Sequence, residues 1–256
     1  MAVTTSPLLV TGGTGTLGSL VVPLLRDAGH DVRVLSRRGR ESGDGIEYVT
    51  GDLLGNEGVE RAVDGAGTVL HLAGGPKGDD EATRNLVRAA SRAGVRHLVY
   101  ISVIGADKVP LGYFRSKLGA ERAVAESGLP WTTLRAAQFH DLVLTVVRKM
   151  AKLPVIPVPG GLRFQPVDAR EVAERLVELT LGQPAGLVPD LAGPTVYGMA
   201  ELSRGYLRAC GKSRLMMPVR MPGAAGRAYR AGENLTLEGA AVGRRTWEDF
   251  LAERVG

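Results

Sequence analysis

Cysteine is all but missing: Cys210 is the only one in 256 residues, which excludes an internal disulfide. Histidine is nearly as scarce, and His30, His71, His97 and His140 have no ligand spacing with thiols or carboxylates, so no metal site is expected. Long apolar runs are absent as well, none reaching the roughly 18 residues that a membrane-crossing helix needs. The N-terminus lacks the basic stretch and apolar core of a secretory signal, so the expectation is a cytoplasmic protein with no membrane partner. In that setting Asn234-Leu235-Thr236 matches a glycosylation acceptor only by chance. Charge of one sign is never concentrated. The net +5 comes mostly from arginines scattered through helical segments, with short pairs only at Arg37-Arg38 and Arg244-Arg245. That pattern describes solvated faces and no nucleic-acid footprint. Internal repeats and low-complexity tracts of consequence are missing too.

What is present is the balance of an ordinary globular chain, 44% hydrophobic and 23% charged, long enough to bury a substantial core. From Leu8 to Arg135, short β-branched runs alternate with amphipathic stretches about a dozen residues long. The strand candidates are Leu8–Thr11, Val32–Ser36, Ile46–Thr50, Thr68–Leu72, His97–Ser102 and Trp131–Leu134. They are mostly apolar on both faces, as a parallel sheet covered by two helix layers requires. A first helix carries Leu17, Leu20, Val21, Leu24 and Leu25 on one face and closes at Gly29, with Pro23 inside it. Further helices are expected from about Glu81 to Ala93 and from about Gly112 to Ser127, each ended by a glycine. The fold class is therefore α/β, a doubly wound parallel sheet of the Rossmann type with a small irregular C-terminal lobe.

After Ala136 the rhythm degrades and prolines and glycines thicken at Pro154, Pro157, Pro159, Gly160 and Gly161. Residues 1–256 are expected to form one domain, with 1–136 as its regular layer and parts of 137–256 as a substrate lobe. Within that lobe, Asp168-Ala-Arg-Glu171 reads as a capping-box-like start for a helix to about Leu181. Met199 to Ala209 reads as another helix, and Thr246-Trp-Glu-Asp249 opens a short terminal one.

Thr11-Gly12-Gly13-Thr14-Gly15-Thr16-Leu17-Gly18 joins the first strand to the first helix, where a dinucleotide's diphosphate meets free backbone amides and the positive end of the helix dipole. Gly12 or Gly13 permits the tight turn, Gly15 lets the backbone approach the phosphates, and Gly18 lets the helix lie close on the strand. About twenty positions on, where an acidic residue binds the ribose hydroxyls of NAD, stand Ser36, Arg37 and Arg38. A guanidinium beside a hydroxyl suits a 2′-phosphate, so NADP(H) is the expected cofactor.

TGGTGTLG, Gly51-Asp-Leu53, HLAGG at His71–Gly75, YISVIGAD at Tyr100–Asp107 and YFRSKLGAE at Tyr113–Glu121 together resemble the extended or atypical short-chain dehydrogenase/reductases, in their NmrA-like NAD(P)H-binding branch. The resemblance covers about residues 6–180. It implies that Asp52, with Leu53, meets the adenine and that the Ala73-Gly74 backbone lies against the adenosine ribose. A strand-end aspartate such as Asp52 also caps a following turn in many proteins.

Tyr113 and Lys117 stand four apart in a helical segment, so both leave one face of it. An ammonium near a phenol favours phenolate and readies it for proton exchange with a carbonyl oxygen. In the family that the motifs resemble, the lysine also binds the nicotinamide ribose, and Ser102 would position the substrate oxygen. YxxxK is equally the spacing of a plain surface pair, and Ser102 and Tyr113 are only eleven apart. Past the sixth strand, Phe139 is the candidate for the nicotinamide ring and Gln138 and His140 for the substrate, with Phe164-Gln-Pro-Val167 closing the same cleft. His140 reads equally as a structural histidine, and Asp168 as a helix cap.

The resulting expectation is an NADPH-dependent reductase of a small carbonyl, enone or quinone-like molecule, monomeric or a homodimer. An NADP(H)-binding sensor without turnover is the alternative. A nucleotide-sugar epimerase or dehydratase is a third, against which Arg37 argues.

Overall fold

A computed structural model describes residues 6–255. In chain order its first elements are β1 (Leu8–Thr11), α1 (Gly18–Asp27), β2 (Val32–Ser36), β3 (Ile46–Thr50), α2 (Val59–Val63), β4 (Thr68–His71), α3 (Asp79–Arg92), β5 (His97–Val103), α4 (Gly112–Ala125) and β6 (Trp131–Ala136). Then follow α5 (His140–Met150), β7 (Val155–Pro159), β8 (Arg163–Phe164), α6 (Ala169–Leu181), β9 (Gly186–Leu187), β10 (Leu191–Ala192) and β11 (Tyr197–Gly198). The last are α7 (Met199–Ala209), β12 (Leu215–Val219), α8 (Gly223–Ala231), β13 (Ala241–Val242) and α9 (Trp247–Arg254).

The chain divides into two compact units. The first holds the described residues up to Ser102, together with Arg115–Leu134 and Val172–Val188. Its strands run in the order β3-β2-β1-β4-β5-β6, all parallel where their registers are known, with β9 beside β6. This is the doubly wound order, in which the chain reverses direction across the sheet between β1 and β4. Leu9, Val69, Leu86, Ala90, Leu98 and Val124 are among the residues of one core packed on this sheet. The apolar runs form strands because both faces of each are covered: every residue of β1 is buried, and so are four of the five in β2.

The second unit holds Val103–Phe114, Arg135–Glu171 and the residues from Pro189 on. Its larger apolar cluster joins α5, α7 and α9 through Val143, Val147, Leu202, Trp247 and Phe250. Trp247 is fully buried and donates its indole N–H to the Leu202 carbonyl at 3.1 Å. Gly205 lets it in, since a Cβ there would stand 3.1 Å from the indole nitrogen. The proline-rich stretch is not irregular. Val155–Pro159 pairs in parallel with Leu215–Val219 in a two-stranded sheet, so among the described residues each strand keeps an open edge where a missing proline N–H costs nothing. No helix among the described residues is long and apolar enough to cross a membrane.

Candidate functional site

The glycine loop has three different local demands. Gly12 sits at φ 70°, and a Cβ there would come within 2.6 Å of the Ala73 amide nitrogen on the neighbouring strand's exit. Gly18 has no room because the backbone of Gly12 and Gly13 occupies the place of its Cβ, and at Gly13 a Cβ would meet Val34 at 2.8 Å. Gly15 differs. A Cβ there would touch only the Gly12 carbonyl oxygen at 3.4 Å, ordinary contact, so internal packing does not ask for glycine. A ligand approaching the backbone would ask for it. Thr14 and Thr16 are exposed, Leu17 is buried, and α1 begins at Gly18, with Leu17 at its N-cap position supplying no side-chain cap and with no acidic residue in its first turn. The loop and helix end thus fit a dinucleotide's diphosphate.

At the end of β2, Ser36 is buried and its hydroxyl accepts from the Arg38 amide at 3.3 Å. Arg37 and Arg38 are exposed and form no ion pair among the described residues. One strand further, Asp52 spends one carboxylate oxygen on the Leu54 amide at 3.0 Å, closing a turn, while its backbone pairs with Glu57. Leu53 points into the core, and its carbonyl accepts from Asn85 at 2.8 Å. Asn85, on α3, therefore holds the segment that the family resemblance assigns to adenine.

A buried polar chain runs behind the loop. Thr11 Oγ1 lies 2.7 Å from His71 Nδ1 and accepts from the Ala73 amide at 3.3 Å, and His71 Nε2 lies 3.0 Å from Thr83 Oγ1. Burial, helped by the Lys117 charge, pushes His71 down to about 3, so the ring is neutral and serves as a strut between β1, β4 and α3.

Lys117 is buried and has three acceptors around its ammonium. Asp79 Oδ2 lies at 3.0 Å, the Tyr100 hydroxyl at 3.3 Å and the Ile101 carbonyl at 3.5 Å. The ammonium also stands over the Tyr100 ring, 5.2 Å from its centre. Asp79 and Tyr100 were not visible as site residues in the sequence. Asp79 is one acid among three in the first turn of α3, and Tyr100 reads as an ordinary core residue of β5. Ser102 is buried and its hydroxyl has no hydrogen-bond partner among the described residues.

In the second unit, Tyr113 is 38% exposed and its ring meets Phe114 edge-on at 5.5 Å. Phe114 in turn meets Tyr229 of α8 at 6.4 Å, and Tyr229 meets Phe164 at 5.7 Å, so Tyr229 is an aromatic neighbour that the sequence reading missed. Gln138 has a buried amide oxygen without a hydrogen-bond partner among the described residues, and Phe139 is half-buried and bridges Val167. His140 has no exposed surface. It packs against Trp247 and Phe250 at 5.8 and 5.1 Å, and burial holds it at about 4, neutral. Enclosure by Trp247 and Phe250 is the surrounding of a structural histidine. Asp168 does cap α6, accepting from the Arg170 amide at 2.9 Å. Its box does not close: Glu171 turns away to accept from the Arg244 amide at 2.6 Å.

A family described as NAD(P)H-binding matches residues 12–179. The chain belongs to that family. Its sequence is 31% identical over 212 residues to the (4-alkanoyl-5-oxo-2,5-dihydrofuran-3-yl)methyl phosphate reductase of Streptomyces griseus, covering 80% of this chain and 74% of that one. It is 28% identical over 214 residues to an NAD(P)H azoreductase of Xenophilus azovorans, with the same shares of the two chains. Among solved structures, an NADPH-dependent quinone oxidoreductase of Escherichia coli in complex with NADPH superposes with a TM-score of 0.84 at 19% identity, covering 97% of this chain and 100% of that one. The Rossmann sheet and the resemblance to NmrA-like short-chain dehydrogenase/reductases are thereby borne out, and the domain is an NAD(P)H-binding one.

Proposed function

We propose that the protein is an NADPH-dependent oxidoreductase passing hydride to a small carbonyl, enone or quinone-like acceptor. One observation carries the reading: at the end of β2, where an NAD site would hold a carboxylate, two exposed guanidinia without ion-pair partners among the described residues follow a buried serine hydroxyl. Gly15 and the uncapped first turn of α1 take the diphosphate, and Arg37 and Arg38 take the 2′-phosphate. Asp52, Leu53, Ala73 and Gly74 line the adenosine side, and Lys117 the nicotinamide ribose. When bound, the nicotinamide supplies the hydride. Ser102 offers a buried, unpaired hydroxyl to an acceptor oxygen, and Tyr113 supplies the proton. Support for reduction as the activity comes from the similar proteins, which are named as reductases of a phosphorylated furanone and of azo compounds.

A sensor that binds NADP(H) without turnover draws on one feature, the enclosure of the Lys117 ammonium by its ion pair with Asp79 and its hydrogen bonds to Tyr100 and the Ile101 carbonyl. Titration with NADPH and NADH, followed by a screen of carbonyl and quinone acceptors, tests both readings. Arg37→Ala is expected to weaken NADPH by about 10-fold or more while sparing NADH, the loss of a charge-assisted contact. Unchanged preference removes the cofactor assignment. Tyr113→Phe is expected to abolish turnover with NADPH affinity intact; full turnover in that variant removes its role as acid, and no turnover by the unaltered protein with any acceptor leaves the sensor.

A further inference from the structure

Three acids stand in the first turn of α3, Asp79, Asp80 and Glu81, and any of them would serve the helix dipole. Only Asp79 is buried. Its two oxygens do different things: Oδ1 accepts from the Gly75 amide at 2.6 Å, and Oδ2 faces the Lys117 ammonium at 3.0 Å. Gly74 lies against both partners, since a Cβ there would stand 3.1 Å from Asp79 Oδ2 and 3.1 Å from Lys117 Nζ. Gly74, the first glycine of HLAGG, is therefore explained by the ion pair as well as by a ligand. A buried pair of this kind contributes little net stability, so its value lies in fixing geometry.

We propose that Asp79 is a positioning residue of the cofactor site, one carboxylate that sets the lysine ammonium and the backbone of the Gly74-Gly75 loop together. This rests on the reading that Lys117 and Gly74 face the bound nucleotide. Of the three oxygens around the Lys117 ammonium, the Ile101 carbonyl at 3.5 Å is the most distant and is the one to be exchanged for a ribose hydroxyl, while the Asp79 ion pair is kept. Asp79 would keep the ammonium in place during that exchange. Any strain on the loop from the ligand would be passed to the same carboxylate.

The test is a double-mutant cycle on NADPH affinity with Asp79→Asn, Lys117→Met and the double variant. Asparagine retains an acceptor for the Gly75 amide and removes the charge facing the lysine. Asp79→Asn is expected to weaken NADPH about 10-fold in the native background and under about 2-fold when Lys117 is already methionine. The NADPH-to-NADH preference, set elsewhere, stays as in the unaltered protein. Equal losses in both backgrounds, or no loss in either, would overturn the proposal by making Asp79 an ordinary packing residue. Should Asp79→Asn fail to fold, the unaltered protein still decides: the Gly75 amide and Lys117 ammonium resonances must both shift with NADPH at one half-saturation point, and their failure to do so overturns it. If the unaltered protein binds no NADPH at all, the parent reading falls and takes this one with it, a result distinct from normal binding by Asp79→Asn.

Discussion

Glycines that look alike in the sequence separate once their surroundings are known. Gly18 is required by the fold, because the backbone of Gly12 and Gly13 fills the space of its Cβ. Gly15 is not, because its Cβ position is nearly clear. Gly18→Ala is therefore expected to destabilise the protein by about 2 kcal/mol or more, as overpacking against rigid backbone does. Gly15→Ala should stay within about 0.5 kcal/mol of the native stability and lose NADPH affinity. Denaturant unfolding beside cofactor titration distinguishes them, and the idea fails if Gly15→Ala binds NADPH normally. Asp52 is a similar case of a residue with two readings. Its turn contact to Leu54 occupies one oxygen, and the proposed adenine contact would use the other.

Among elements, α6 shows how a single carboxylate is put under load. Burial pushes Asp168 up, but hydrogen bonds from the Arg170 side chain and amide, and from Arg245, outweigh it and hold the group at about 2. Glu253 of α9 pairs with the same two arginines, which ties the terminal helix to the start of α6. A carboxylate whose folded value lies below its unfolded one stabilises the native state above the unfolded value and loses that contribution as pH falls towards the folded one. The native protein should therefore lose roughly 2 kcal/mol between pH 5 and pH 2 through this group. Asp168→Asn is expected to be less stable at pH 7 and to show a flatter acid profile over that window. Parallel profiles for the two proteins, measured by urea unfolding, would count against it.

For the molecule as a whole, the histidines matter more than the net charge. Burial lowers His71, His97 and His140, the first to about 3 and the last to about 4. In the unfolded chain each returns to its ordinary range, so below about pH 6.5 the unfolded state binds more protons and stability falls with pH. Each histidine that stays neutral costs roughly 2 kcal/mol between pH 7 and pH 5. Calorimetry across that range should find a melting temperature falling steeply, with His71→Gln less affected than the native protein. A melting temperature flat from pH 7 to pH 5 would show that these rings take protons without unfolding.

The sheet from β1 to β6 and the diphosphate loop were legible in the sequence because their causes are local: apolar runs of strand length, and glycines spaced for one turn. The place of Ser36, Arg37 and Arg38 at the end of β2 was legible for the same reason, being found by a count along the chain. After Ala136 the helices starting near Asp168, at Met199 and at Thr246 were legible from their caps and periodicity, and the rest was not. The helix His140–Met150 and the proline-bearing pair Val155–Pro159 and Leu215–Val219 take their form from partners tens of residues away, and a single window holds no trace of those partners. Likewise the spacing of Tyr113 and Lys117 was readable, but only the folded chain could bring Asp79, Tyr100 and the Ile101 carbonyl to one ammonium from α3 and β5. Sequence determines which chemistry a segment carries and where its local turns fall; burial and pairing across the fold decide which charges meet, because those energies depend on distance in space.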